Sequence, residues 1–82
     1  MLAAAGAASA SLRSRRWPAG LSDREVEVLR LIARGRSNRE VAQLLVISPK
    51  TVGRHVENVY AKIGVRSRAA AAVFAMEHRL LS

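Results

Sequence analysis

Four serines, at positions 22, 37, 48 and 67, each stand directly before an apolar-periodic segment, and their spacing leaves room for little except short helices joined by tight turns. Ser22 with Glu25, and Ser37 with Glu40, form the S-x-x-E pattern. In that pattern the hydroxyl accepts from the amide three residues on, while the carboxylate reaches back to the serine's own amide, so two unpaired donors at a helix start are satisfied together. Ser48 is followed by Pro49, whose missing N–H is no loss at the first helical position, and Ser67 is a plainer cap before Arg68. Gly35 and Gly64 fall where helices begun at Ser22 and Ser48 run out, and a glycine there readily takes the left-handed backbone that ends a helix. These marks predict helices near residues 23–34, 38–46, 49–63 and 68–80. The expected fold is all-α, a compact four-helix bundle-like domain.

The apolar stripes agree with those starts and stops. In the first helix Val28, Leu29 and Ile32 share a face, with Glu25 on the same side, as its capping role requires. The second offers Val41, Ala42 and Leu45, the alanine allowing a crossing helix to come close. In the third, Val52, Val56, Val59 and Ile63 follow the spacing i, i+4, i+7, i+11, which commits one side to the core. The fourth carries two stripes, Ala69–Val73–Met76–Leu80 and Ala70–Phe74–Leu81, more apolar surface than one core contact needs.

With 82 residues the chain has room for one small core, and with no cysteine neither a disulfide nor a thiolate metal site can staple it. Its net charge of +8, from 14 Lys and Arg against 6 Asp and Glu, points to a polyanionic partner. A membrane is not the expected partner, and binding to duplex DNA without binding to vesicles would separate the two. No stretch approaches the length of uncharged apolar sequence that a spanning helix needs, and a surface-lying helix would want one broad basic face beside a continuous apolar one. Residues 1–20, rich in Ala, Ser and Arg and free of acid, fit an organelle transit peptide loosely and a flexible leader or linker better, since they offer little to bury before the Pro18-Ala19-Gly20 break. The expected division is therefore a leader over 1–20 and a folded domain over 21–82.

The side of the third helix that faces away from the core is where function is legible. Lys50, Arg54, Glu57 and Ala61 form its outward stripe, with Thr51, Asn58 and Lys62 on one flank and Gly53 and Tyr60 on the other. Only Val46, Ile47 and Ser48 separate this helix from the one before, so the two must turn sharply, as in a helix-turn-helix, whose second helix enters the DNA major groove. Arg54 can then donate two hydrogen bonds to guanine, and Asn58 can meet an adenine edge or a phosphate. Lys50, Thr51 and Lys62 can hold the DNA backbone. Glu57 has two readings: it accepts from a cytosine amine, or it pairs with Arg54 or Lys50 and orients them. His55, beside Val52 and Val59, reads as a packed helix residue, because His78 is its only histidine companion. No metal and no cofactor are expected, and without a phosphate loop, a Ser-His-Asp set or a nucleophilic cysteine the chain has no equipment for an enzyme.

From Leu21 to Leu81 the sequence resembles the LuxR-type, or GerE-like, helix-turn-helix domain of bacterial regulators. The resemblance rests on Leu21-Ser22-Asp23-Arg24-Glu25 opening the first helix, Ala33-Arg34-Gly35 closing it, and Ser37-Asn38 with Val41-Ala42 in the second. Ile47-Ser48-Pro49-Lys50-Thr51-Val52 with His55 opens the third, and Lys62-Ile63-Gly64-Val65 with Ser67-Arg68 closes it. Sigma-factor promoter-binding domains share the outline, but the opening at Leu21 and the ending at Gly64 fit the LuxR type better.

The resemblance implies sequence-specific binding of double-stranded DNA by a homodimer, as the effector domain of a cytoplasmic, nucleoid-associated bacterial transcription regulator. It implies base contacts from Gly53, Arg54 and Glu57, and places Ser37 and Asn38 among the phosphate-binding residues. It also implies dimerisation through the last helix, with Ala70, Phe74 and Leu81 as candidates; the alternative is a small domain wrapping a wide face around its own core. A sensor or phosphoacceptor receiver domain would lie in a longer parent chain or on another polypeptide. Two positions depart from the family's common pattern. Gly53 stands where a lysine or another polar residue is frequent, and Arg79 stands where a glycine often ends the last helix, so that terminus is expected to run on or fray.

Overall fold

The computed structural model describes residues 17–81. Four α-helices carry the fold: α1 (Asp23–Ala33), α2 (Asn38–Leu45), α3 (Pro49–Ile63) and α4 (Arg68–Glu77), preceded by a single 3-10 turn over Pro18–Gly20. No strand occurs among the described residues. All four serines cap as the sequence requires. Ser22 and Ser37 each accept from the amide three residues on at 3.1 Å, while Glu25 and Glu40 each accept from the serine amide at 2.9 Å. Ser48 accepts from the Thr51 amide and Ser67 from the Ala70 amide. Gly35 and Gly64 take positive φ, 90° and 73°, after α1 and α3.

The core is built from valine and alanine more than from large side chains. Val26, Val28, Leu29 and Ile32 of α1, Val41 and Ala42 of α2, Val52 and Val59 of α3, and Ala71 and Ala75 of α4 are buried, joined by Leu21 and Leu80 from the flanking segments. Helix α1 is central: α4 and α3 both pack on it, and α2 packs mainly on α3.

The last helix is where the structure departs from the stripes read in the sequence. It meets the core through Ala71 and Ala75, whose methyls let α4 lie close on α1, and neither belonged to the expected stripes. Val73 and Met76 point outward instead, 49% and 62% exposed, while Ala70, Phe74 and Leu81 are half-buried. The helix also stops at Glu77, three residues early, and does not run on. Arg79 adopts φ 57°, the conformation a glycine would supply, and the turn brings Leu80 back into the core, with its amide donating to the Ala75 carbonyl.

At the other end, Trp17 packs against the start of α1. The Trp17 indole donates to Asp23 at 2.7 Å, and the Arg30 guanidinium lies over its ring at 5.4 Å. An aromatic this close to the first cap has an apolar face to cover and one donor to satisfy, and α1 offers both partners. The rest of the expected leader, residues 1–16, lies outside the described residues. Among the described residues no helix is long and apolar enough to cross a membrane.

Candidate nucleic-acid interface

The turn between α2 and α3 sets the direction of the candidate recognition helix. Val46 ends α2 in the left-handed region, with φ 57° and ψ 49°, and the Ile47 amide closes back on the Ala42 carbonyl at 3.0 Å. Ser48 then caps α3, and Pro49 begins it. Because Val52 and Val59 are fully buried, and Val56 and Ile63 pack against the same core, the opposite side of α3 is forced outward.

On that outward side Lys50, Arg54, Glu57 and Asn58 are exposed, and Gly53 is half-buried among them. Lys50, Gly53, Arg54 and Glu57 together line a shallow depression on the surface. The ion pairs among the described residues are Arg24–Glu27, Arg36–Glu40 and Lys62–Glu25. None of them involves Lys50, Arg54 or Glu57, so the pairing of Glu57 with Arg54 or Lys50 does not occur. Chemically, α3 presents a fork of donors at Arg54, a point charge at Lys50 and an acceptor at Glu57, all without a partner of their own within the described residues. Glu25, Glu27 and Glu40 take their cations from elsewhere in the fold, and none of those pairs draws on Lys50 or Arg54.

Three of the expected phosphate-binding residues have employment inside the protein. The Ser37 hydroxyl serves the capping box, and the Thr51 hydroxyl lies 2.8 Å from that of Ser48. The Asn38 carbonyl oxygen accepts from Arg68 at 2.9 Å, while the other arm of the same guanidinium donates to the Arg36 carbonyl at 2.7 Å. Arg68 thus fastens the loop before α2 to the start of α4, a contact 30 residues apart that sequence spacing gives no sign of.

Lys62 also has partners inside the protein. Its ammonium turns away from the outward stripe, donating to Glu25 Oε1 at 2.7 Å and to the Gly20 carbonyl at 3.2 Å. Glu25 is only 5% exposed, and its carboxylate needs a cation more than the surface does. Lys62 is therefore an internal strut between α3 and the start of α1. His55 is half-buried on α3, and among the described residues no cluster of three or more His, Cys, Asp or Glu could hold a metal.

A family model described as bacterial regulatory proteins, luxR family, matches residues 19–75. The chain belongs to the luxR family. The matched luxR-family segment takes in α1, α2, α3 and most of α4, including the whole of the outward stripe. Among relatives of this chain are the response regulator proteins VraR of Staphylococcus aureus (strain Mu3), Staphylococcus epidermidis and Staphylococcus saprophyticus, each 44% identical over 61 residues. That match covers 74% of the chain but 29% of each relative, so this luxR-family domain spans less than a third of their length.

Proposed function

We propose that the chain binds double-stranded DNA with sequence preference, as the effector module of a transcription regulator, by laying α3 in the major groove. The observation that carries this reading is the placement of Arg54: outward on a helix whose Val52 and Val59 are buried, and engaged by no other described residue. A guanidinium so placed matches the two acceptors on the edge of a guanine, and that bidentate contact is the commonest specific one in the major groove. Asn58 and Glu57 supply further donors and acceptors to base edges, and Lys50 holds a phosphate. Ser37, Thr51 and Asn38 contribute phosphate contacts only through atoms their internal hydrogen bonds leave over. The module works by binding and carries no catalytic step.

The relatives' name, response regulator, supports placing an input domain in the remainder of a longer parent protein, with the regulator acting in the bacterial cytoplasm. One helix-turn-helix buries little surface on DNA, so a homodimer on two half-sites would raise affinity. The exposed Val73 and Met76 on α4, rather than the half-buried Ala70, Phe74 and Leu81, offer the apolar area such pairing would cover.

The test is selection of bound sequences from a random duplex pool, followed by comparison of the selected and a scrambled duplex. Arg54→Ala should lose about 1–3 kcal/mol on the selected site and little on the scrambled one. Equal losses on both would remove Arg54 from base reading, and failure of the wild-type chain to enrich any sequence would overturn the proposal.

A further inference from the structure

Gly53 is the one place on the outward side of α3 where the chain forgoes a side chain, and nothing among the described residues requires it to do so. The backbone there is ordinary helix, not the left-handed conformation that favours glycine. A Cβ built at Gly53 would meet no atom within 4 Å outside its own helical surroundings, so no neighbour crowds it out. Glycine is the poorest helix former after proline, so its presence in the interior of the candidate recognition helix works against folding. What the glycine leaves is a notch in the depression lined by Lys50, Arg54 and Glu57, mainly apolar in its lining and charged at its rim.

We propose that Gly53 is a specificity-determining position, its notch receiving the C5 methyl of a thymine beside the base met by Arg54, and so admitting the α3 backbone closer to the groove floor than any side chain would allow. This rests on the reading of α3 as a major-groove helix. The choice of occupant follows from the lining. The notch lies five positions into α3, where the backbone amide is already spent on the carbonyl four residues earlier, so it offers no donor to a phosphate. The lining shared by Lys50, Gly53, Arg54 and Glu57 is more apolar than polar, and the thymine methyl is the one apolar group that the major-groove edges present. The charged heads at the rim remain available to neighbouring polar edges, which is how one short segment can meet a methyl and a guanine side by side.

Stability and binding should therefore move in opposite directions. Gly53→Ala and Gly53→Leu in the 82-residue chain should raise Tm, by up to about 4–8 °C where the full helix-propensity gain is realised. Both should bind the duplex selected by the wild-type chain at least tenfold more weakly, with affinity for scrambled duplex unchanged. In a scan that replaces each thymine of the selected duplex by deoxyuridine, one position should cost the wild-type chain about fourfold, the worth of one buried methyl, and cost Gly53→Leu nothing. The inference is overturned if either variant keeps wild-type affinity for the selected duplex. It is equally overturned if no single methyl matters to the wild-type chain, or if its removal affects Gly53→Leu as much. A wild-type chain that selects no sequence would overturn the DNA-binding reading itself, whereas the other failures leave that reading standing.

Discussion

At Glu25 a buried carboxylate joins three parts of the molecule: it closes the cap of α1 through the Ser22 amide and receives the Lys62 ammonium from the far end of α3. Burial is the largest single influence on its pKa and pushes it up. The Lys62 hydrogen bond, the Ser22 bonds and the Lys62 charge together outweigh burial and hold the carboxyl below its ordinary value of 4.5. A folded pKa lower than the unfolded one contributes stability that is fully present above the unfolded value and lost as pH falls through the folded value. Thermal melts should thus show Tm insensitive to this group at neutral pH and declining below about pH 4.5, where Glu25 begins to protonate in the unfolded chain. Glu25→Gln should melt lower at neutral pH and show a shallower acid decline, and an identical decline in both would remove Glu25 as its source. Lys62→Met, which strands the carboxylate, should cost about 2 kcal/mol in urea unfolding. The cap at Glu25 was legible from Ser22 three residues before it, but its partner 37 residues later was not, because local periodicity gives no through-space distance.

Among the elements, the starts were legible and the last helix was not, for one physical reason. Capping is local chemistry, written within three residues of each serine, so all four helix starts fall where the sequence puts them. The buried face of α4 depends on how much room α1 leaves, and against its Val26, Val28, Leu29 and Ile32 the methyls of Ala71 and Ala75 are the ones buried, while bulkier Val73 and Met76 face outward. Stripe counting favours large residues and so reads that face wrongly. The turn between α2 and α3 carries a different cost. Val46 is 88% exposed and holds a left-handed backbone, which a β-branched residue adopts with strain. No packing compensates. Val46→Gly removes the strain and adds unfolded-state entropy, and the first effect should win by about 0.5–1 kcal/mol, raising Tm by a few degrees. An unchanged or lower Tm would mean that Val46 is held there without strain.

Across the whole molecule, a net charge of +8 states that a polyanion is attractive but not where it would sit. The structure narrows this by spending some cations internally. Arg30 and Arg34 donate to the Leu80 and Leu81 carbonyls, Arg68 to the Arg36 carbonyl and Asn38, and Lys62 to Glu25. Lys50 and Arg54 are spent on no described partner, whereas Lys62, on the flank of the same helix, reaches a carboxylate 37 residues earlier that helix periodicity gives no sign of. Salt dependence of duplex binding separates them. Each phosphate neutralised by a lysine contributes about 0.9 to the slope of log K against log salt. Lys50→Gln should therefore lower the slope by about one for every duplex sequence, with Tm nearly unchanged. Lys62→Gln should lower Tm and, measured well below that Tm, leave the slope where it was, because its charge already belongs to Glu25. If instead the Lys62 variant loses a full unit of slope, the ammonium must exchange Glu25 for a phosphate on binding, and the strut between α3 and α1 would be a contact made only in the absence of DNA.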